Sequence, residues 1–413
     1  MNKKKILLVT YGGGHVHMIR PLAKMLHEID RLEIVVLALP SAIPYLTNET
    51  YKVITFRDLI VDGDLDALRW GEEIAKKHHK KNSGINLEES IAYLGLSFKD
   101  LVNKNGFNKA IEIFKKRKRH AFHQTTIIRR ALSLLKPNYV VTTNSPRAES
   151  AAIEEALLHE IPSLSMSDLF LGMKDYILKA NRLTYLNHYA YSVNLKAGLV
   201  DPKRSNIHFV GNPAFDELLI RDQKRDNYTI SKLIKNLTHK KSILHIHSHS
   251  WVDPIKGSIN QTPQSLINEL QILHKASQNS KVNFLIRPHP SEDERIFLEF
   301  AEKNDDVFIV NEFPLKELLK MANIITVRSS TVAMQALYLR KKVIQIDPHI
   351  HTDLPISNLK LAIGVPLCPK ISTTISEVLC DEENKFSDNI DKFLPQKPSA
   401  PQISNIILQD LKI

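Results

Sequence analysis

Cysteine is nearly absent from this chain of 413 residues: Cys368 and Cys380 are the two, and they lack the spacing of a metal-binding pair. A disulfide scaffold and a thiolate metal centre are thereby excluded, and the composition suits a reducing cytosol. No stretch approaches the roughly 20 apolar residues of a membrane-spanning helix, so any membrane contact is expected to be peripheral. The opening Met1-Asn2-Lys3-Lys4-Lys5-Ile6-Leu7-Leu8-Val9-Thr10 superficially resembles a secretory leader. Its apolar run is short, however, and Gly12-Gly13-Gly14 stands where more apolar residues would be needed. Acidic residues are outnumbered, 45 Asp and Glu against 56 Lys and Arg, for a net charge of +11. No nucleic-acid module with stacking aromatics accompanies the excess cations. Hydrophobic content of 43% and charged content of 24% are those of an ordinary soluble globular protein. The length predicts two or three domains, each able to bury a core.

The positive charge is concentrated in two runs, Lys76-Lys77-His78-His79-Lys80-Lys81 and Lys115-Lys116-Arg117-Lys118-Arg119-His120. Such runs are either solvated helix faces or sites for a polyanion or an anionic lipid surface. An acidic glycan or lipid-surface partner is the better functional reading; nucleic acid is not expected.

Strand and helix patterns alternate over most of the chain. Strands are expected at Lys4–Thr10, 33–39, 52–56, 138–143, 161–165 and 189–194. Residues 66–136 are helical in pattern, more than one crossover needs, and are read as a helical insertion. A second alternation starts near 206, with strands at 207–210, 242–247, 282–287, 307–310, 324–327 and 342–346. An apolar helix over 403–411 follows a proline-rich segment. Repeated alternation predicts an α/β fold of two doubly wound parallel sheets. The expected domains are 1–195, with its insertion, and 196–395. The tail, 396–413, is a terminal helix that can return to the first domain.

Two strand ends carry the chemistry. Leu285-Ile286-Arg287-Pro288-His289-Pro290 runs a strand into a rigid turn, and Ile324-Ile325-Thr326-Val327-Arg328-Ser329-Ser330-Thr331 ends a strand and opens a helix. An arginine, a histidine, paired hydroxyls and helix-start amides converging in one crevice match a nucleotide phosphate. His289, held between prolines, can donate to the phosphate of a departing nucleotide. Ser329, Ser330 and Thr331 serve equally as a helix cap. Arg287 pairs with phosphate or with a local carboxylate. Gly13 and Gly14 let backbone approach a ligand, although Gly12-Gly13-Gly14-His15 is not the spaced dinucleotide fingerprint. His245, His247 and His249 alternate on one strand, but no carboxylate or cysteine pattern supports a metal there.

A second set of residues carries a resemblance. Val193-Asn194-Leu195-Lys196-Ala197-Gly198-Leu199, followed by Gly211-Asn212-Pro213-Ala214-Phe215-Asp216, resembles the interdomain segment of GT-B enzymes. It is closest to that of lipid A disaccharide synthases, UDP-N-acetylglucosamine 2-epimerases and capsule or lipopolysaccharide glycosyltransferases. The Arg-Pro-His-Pro and Ser-Ser-Thr segments resemble motifs of bacterial sialyltransferases, polysialyltransferases and glycerophosphate transferases. The resemblance implies two Rossmann-like domains facing across a cleft. It also implies a UDP- or CMP-sugar as donor substrate with no other cofactor, and a glycan or lipid-linked acceptor in surface-polysaccharide synthesis. The enzyme would be cytoplasmic, with basic helices as a means of contact with the inner membrane.

The same resemblance places Ser248, His249 and Ser250 over the donor diphosphate. Gln335 stands where many relatives hold the ribose with a glutamate. His15 borders the cleft as an acid/base or acceptor-binding residue. Inverting transfer needs a base. Asp168 is the first choice, and Asp62 and Asp64, in Val61-Asp62-Gly63-Asp64, are the second because that segment loosely resembles the acidic-acidic-glycine motif of some sialyltransferases. An epimerase or hydrolase of the 2-epimerase type is the competing enzyme class, and a non-catalytic nucleotide- or polyanion-binding protein is the third. Against epimerisation, the strand end at Thr142-Thr143-Asn144-Ser145 lacks the acidic residue common in those enzymes.

Overall fold

A computed structural model describes residues 3–79, 84–168, 170, 179–219, 235–237, 239–248, 262–289, 292–350, 354–381 and 383–413. The chain divides into two compact units, Met1–Asp216 with Pro395–Ile413, and Glu217–Leu394.

The first unit is built on a seven-stranded sheet, entirely parallel. Its strands are β1 (Lys4–Thr10), β2 (Leu32–Ala38), β3 (Lys52–Ile54), β4 (Tyr139–Thr143), β5 (Ser163–Met166), β6 (Arg182–Tyr185) and β7 (Asn206–Phe209). The order β3-β2-β1-β4-β5-β6-β7 reverses direction between β1 and β4. Strand β1 is buried on both faces, which is why it reads as a continuous apolar run. Ile6 and Leu8 pack with helix Gly14–His27 and the C-terminal helix, whereas Leu7 and Val9 pack beneath the helices between β3 and β4.

Those helices are Leu65–His78, Leu87–Asn105, Phe107–Arg117 and Thr125–Leu135, and they make up the insertion expected over 66–136. The first two meet at glycines. A Cβ on Gly71 would lie 2.2 Å from the Ile91 carbonyl oxygen, and one on Gly95 would lie 2.1 Å from that of Ala67. Asp64 anchors the group from below with hydrogen bonds from Lys99 and Arg130.

Two expectations are corrected. Residues 189–194 form no strand: they belong to helix His188–Lys196, started by Asn187, whose side chain accepts from the Ala190 amide. Tyr189, Tyr191 and Val193 have strand propensity, but the N-cap at Asn187 starts a helix there and overrides it. Residues 207–210 do not open the second unit. Asn206–Phe209 pairs with Arg182–Tyr185 as the edge of the first sheet, so this unit runs to Asp216 rather than to 195.

The helix Ser399–Leu411 completes the first unit. Asp216 accepts the backbone N–H groups of Ser399 and Ala400, both at 2.7 Å, and so caps its first turn. At the other end Asp410 takes a hydrogen bond from the Tyr139 hydroxyl at 2.8 Å and pairs with Arg182. Ile403 and Ile407 are fully buried.

The second unit holds six parallel strands: β8 (Ser242–Ile246), β9 (Asn283–Arg287), β10 (Val307–Ile309), β11 (Ile324–Val327), β12 (Lys342–Ile346) and β13 (Ile363–Val365). Their order, β10-β9-β8-β11-β12-β13, reverses between β8 and β11. Phe284, Ile286, Leu270, Leu273 and Phe297 form the centre of its core. Among the described residues no helix is long and apolar enough to cross a membrane.

Candidate functional site

In an open parallel sheet, ligands bind beyond the carboxyl ends of the strands where the strand order reverses. Each unit gathers polar groups at that point.

In the first unit the reversal lies between β1 and β4. After β1 the chain turns through Gly12 and Gly13 into helix Gly14–His27. Gly12 cannot carry a side chain, since a Cβ would sit 2.1 Å from the Ser41 carbonyl oxygen; Gly13 has φ +65° and is exposed, as is Gly14. The tight turn aims His15, in the first helical turn, at the end of β4, where its Nδ1 hydrogen-bonds the Thr143 hydroxyl.

Thr143 in turn hydrogen-bonds Glu149, a fully buried carboxylate in helix Ala148–Leu158. Glu149 also accepts the N–H groups of Tyr11 at 2.9 Å, Thr143 at 3.1 Å and Ser145 at 3.2 Å. A carboxylate has no hydrogen to give, so the Thr143 hydroxyl donates to it as well. The hydroxyl has one hydrogen; toward His15 it can only accept. The arrangement therefore selects, for a neutral His15, the tautomer with its proton on Nδ1 and the lone pair on Nε2.

Asp168 follows β5. Its backbone N–H donates to the Asn144 side chain at 3.2 Å, and its carbonyl accepts from the Asn212 side chain at 2.8 Å. Its carboxylate lies 3.7 Å from the position a Cβ would take on Gly14, at the start of the helix that bears His15. Burial pushes the Asp168 pKa up, with nearby His15 and Asn212 opposing. His15, Asp168, Gly13 and Gly14 thus come together. The Asn212 contact also gives the Gly-Asn-Pro segment a physical role, since it ties the loop after β5 to the end of the sheet.

Asp62 sits elsewhere in this unit. It is exposed in the 3-10 turn Asp62–Asp64 and takes no part in the hydrogen bonds that join His15 to Glu149. Its neighbour Asp64 is buried and committed to Lys99 and Arg130. The Asp62-Gly63-Asp64 segment is accounted for by the entry into helix Leu65–His78.

Glu149 and Arg147 were not singled out in the sequence, and Thr143 was named only as part of a strand end without an acidic residue. Arg147 adopts φ +75° in the turn after β4, and its guanidinium lies 4.5 Å over the Tyr11 ring. Its Nε is buried with no hydrogen-bond partner among the described residues. The available signal was an acidic residue in the first turn of a helix directly after a strand end, where its carboxylate can turn back onto free backbone N–H groups.

In the second unit the reversal lies between β8 and β11. The Ser329 N–H donates to the Ser248 hydroxyl at 3.0 Å, joining the two strand ends. Arg328 is held by both oxygens of buried Glu269, at 2.9 Å each, and by Asp347 at 3.1 Å, which sets the path of the Ser329–Ser330 turn. Ser330 accepts the Val332 N–H at 3.3 Å, so it caps helix Val332–Tyr338; Thr331 makes no side-chain cap and is exposed. Gln335 is half-buried on that helix.

Arg287, at the end of β9, is half-buried and donates to the carbonyls of Phe313 at 2.7 Å and Val310 at 3.4 Å. Of the two readings, phosphate or a local carboxylate, the described residues provide no carboxylate partner. His289 is half-buried, and its carbonyl accepts the Glu292 N–H at 2.9 Å. Next to it His247 is buried, with neither ring nitrogen hydrogen-bonded among the described residues. Burial first, then the neighbouring His245 and His289, hold the His247 pKa down to about 4, so this imidazole is neutral near pH 7. His245 is likewise buried and bonds Thr326 at 3.1 Å. Among the described residues no group of His, Cys, Asp and Glu is arranged to hold a metal. His249 and Ser250 lie outside the described residues.

A cavity of about 1020 Å³ opens at the opposite, amino-terminal edge of this sheet. Its cations are largely engaged with carbonyl oxygens: Lys241 with Leu379, Lys342 with Val378, and Lys341 with Ala322. The polar strand ends, not this cavity, make the candidate site.

No family model matches the chain, and no curated protein sequence does. Solved structures match along its whole length. The UDP-GlcNAc 2-epimerase of Methanocaldococcus jannaschii aligns with a TM-score of 0.61 at 13% identity, over 98% of this chain and 99% of its own. The glycotransferase of kitacinnamycin aligns with 0.59 at 11%, over 99% of both chains. Medicago truncatula UGT71G1, crystallised with UDP-glucose, aligns with 0.56 at 11%, over 98% of both. At such identities the likeness is one of fold, and the fold is GT-B: two parallel-sheet α/β units, as the sequence led one to expect.

Proposed function

We propose that this chain is an inverting, metal-independent glycosyltransferase that moves a sugar from a UDP- or CMP-activated donor to a hydroxyl of a glycan or lipid-linked acceptor. The observation that carries the reading is the His15–Thr143–Glu149 chain, which favours a neutral His15 with its lone pair on Nε2, while the Asp168 carboxylate approaches the start of the helix that bears it. In the proposed reaction Nε2 takes the proton of the acceptor hydroxyl as its oxygen attacks the anomeric carbon. The bond from that carbon to the nucleotide's phosphate oxygen breaks, and its electron pair leaves with the nucleotide. The proton stays on the imidazole, whose new charge Asp168 and the Thr143–Glu149 pair stabilise, and then passes to solvent. This reading makes His15 the base and Asp168 its electrostatic partner, in place of Asp168 as base.

The donor is assigned to the second unit. Arg287, His289 and the Ser248–Ser329 strand ends supply cations and donors for the phosphates. Half-buried Arg287, without a carboxylate partner among the described residues, supports that assignment. Surface-polysaccharide assembly as the setting, and peripheral contact with the inner membrane, belong to the same proposal.

Solved epimerases of this fold keep a second reading in view. Glu149 does bring a carboxylate to the strand end where the sequence has Asn144 and Ser145. Its oxygens are occupied by four donors, which disfavours it as an acid or base toward a sugar. The test is a thermal-shift panel of UDP, CMP, CDP and GDP, then product analysis with sugars of the best nucleotide. A glycosylated acceptor is expected. Lack of stabilisation by every nucleotide refutes the proposal, and an epimerised sugar nucleotide formed without acceptor replaces it with the second reading.

A further inference from the structure

The described part of the first basic run, residues 76–79, meets the second run on one face of the first unit. His78, in the last turn of helix Leu65–His78, packs its ring 5.8 Å from Phe114 of helix Phe107–Arg117. Residues 115–120 continue directly from there, all exposed. Among the described residues none of the cations from Lys115 to Arg119 is in a salt bridge, so their charge is not locally neutralised. The face is one field rather than two: burial and then Arg119, Lys118 and Lys77 hold the His78 pKa down.

This field does not stop at the surface. Phe114 stacks on Phe122 at 5.4 Å, Phe122 meets Tyr93 at 6.1 Å, and the Tyr93 hydroxyl lies 3.3 Å from that of Tyr11. Tyr11 is the residue after β1, four before His15, and Arg147 covers its ring. His120, the last residue of the second run, senses Arg147: burial and then Arg147 depress its pKa. A continuous, largely buried run of aromatic side chains therefore joins the helix end at Phe114 to Tyr11, over whose ring Arg147 sits in the turn after β4.

We propose that the acceptor is an acidic glycan, which lies along this basic face and is guided past Arg147 toward His15. The inference rests on the transferase reading and names its acceptor class. A bilayer surface would use the exposed lysines and arginines equally well, but it gives no role to Arg147, which is half-buried in the turn after β4. A chain of carboxylate-bearing sugars engages both.

The experiment measures binding of oligogalacturonate to the full chain, against its neutral methyl ester and against phosphatidylglycerol vesicles. Oligogalacturonate should bind, and its affinity should fall about 50- to 150-fold between about 50 and about 200 mM salt, as expected when about four cations release counterions. The exposed-site variant Lys115→Gln/Lys116→Gln/Arg117→Gln should weaken binding at low salt by about tenfold, and Arg147→Gln should do so separately. Equal binding of the methyl ester, unchanged affinity in the triple variant, or binding to vesicles alone would overturn the inference. Stabilisation by a nucleotide alongside any of those results leaves the transferase reading standing, so the two failures are distinguishable.

Discussion

Replacing Thr143 with valine removes one oxygen from the middle of the His15–Thr143–Glu149 chain and leaves the volume nearly unchanged. In the resting enzyme the bond lost is one from neutral imidazole to a hydroxyl, worth about 0.5–1.5 kcal/mol net. During reaction His15 becomes an imidazolium, and the same bond becomes charge-assisted, worth about 1.5–3 kcal/mol. Only the difference, about 1–1.5 kcal/mol, affects the chemical step, because interactions equally strong in ground and transition state do not raise kcat. That corresponds to about 5- to 13-fold in rate. The valine also frees the imidazole to place its proton on Nε2, a tautomer unable to act as base. The combined loss in kcat should be about 10- to 50-fold, with the donor KM unchanged. Glu149 keeps its three backbone donors, so the fold should lose only about 1 kcal/mol. The assay is initial-rate product formation with the preferred donor, alongside thermal melting. Thr143→Ser should restore most of the rate, and His15→Ala should cost about 10²- to 10⁴-fold. Adding Thr143→Val to His15→Ala should cost nothing further, since the two residues act as a unit. A Thr143→Val enzyme within about twofold of wild type, with His15→Ala strongly impaired, would refute the relay. An active His15→Ala enzyme would refute the base.

Three other outcomes are expected. His289→Ala should lower kcat/KM for the donor by about 10- to 150-fold, the loss of one hydrogen bond to a charged group, without altering the melting temperature; unchanged kinetics remove His289 from the site. Burial alone would raise the pKa of Asp64, but hydrogen bonds from Arg130 and Lys99 bring it from 3.8 down to about 2. Because the folded pKa is the lower one, its stabilisation, on the order of 2 kcal/mol, is present above pH 3.8 and is lost as pH falls toward 2. Asp64→Asn should destabilise the protein by about 2 kcal/mol at pH 7 and flatten that acid limb in denaturant titrations, less than for a fully buried pair because Lys99 and Arg130 keep access to water. In the second unit, burial holds the pKa values of His245 and His247 down to about 3 and about 4 from 6.5. Both therefore take up protons on unfolding, and stability should decline as pH falls below 6.5. His247→Phe should reduce that slope, and an unchanged slope would show that His247 is not buried neutral.

Periodicity and punctuation alone determined most of the architecture. Runs such as Lys4–Thr10, Ile324–Val327 and Lys342–Ile346 are β-branched and apolar because parallel strands are covered on both faces, and that pattern survives without any knowledge of partners. His289 between prolines and the Ser329-Ser330 turn were legible for the same reason: strand-to-helix junctions announce themselves locally. The edge of the first sheet was not. Whether Asn206–Phe209 joins one sheet or the other depends on its pairing with Arg182–Tyr185, a distant segment, and whether 189–194 is strand or helix depends on Asn187 capping it. The site shows the same division. A glycine turn delivering His15 could be seen in the sequence, but its partners could not. Thr143 and Glu149 reach His15 only because β1 and β4 lie side by side and Glu149 turns back over the strand end. Arg147 comes to lie over the Tyr11 ring in the same way, through packing that brings segments far apart in the chain into contact. Local patterns thus defined the elements and the chemistry carried at their ends, whereas tertiary packing selected which of those groups meet, because a hydrogen bond depends on distance in space and not on separation along the chain.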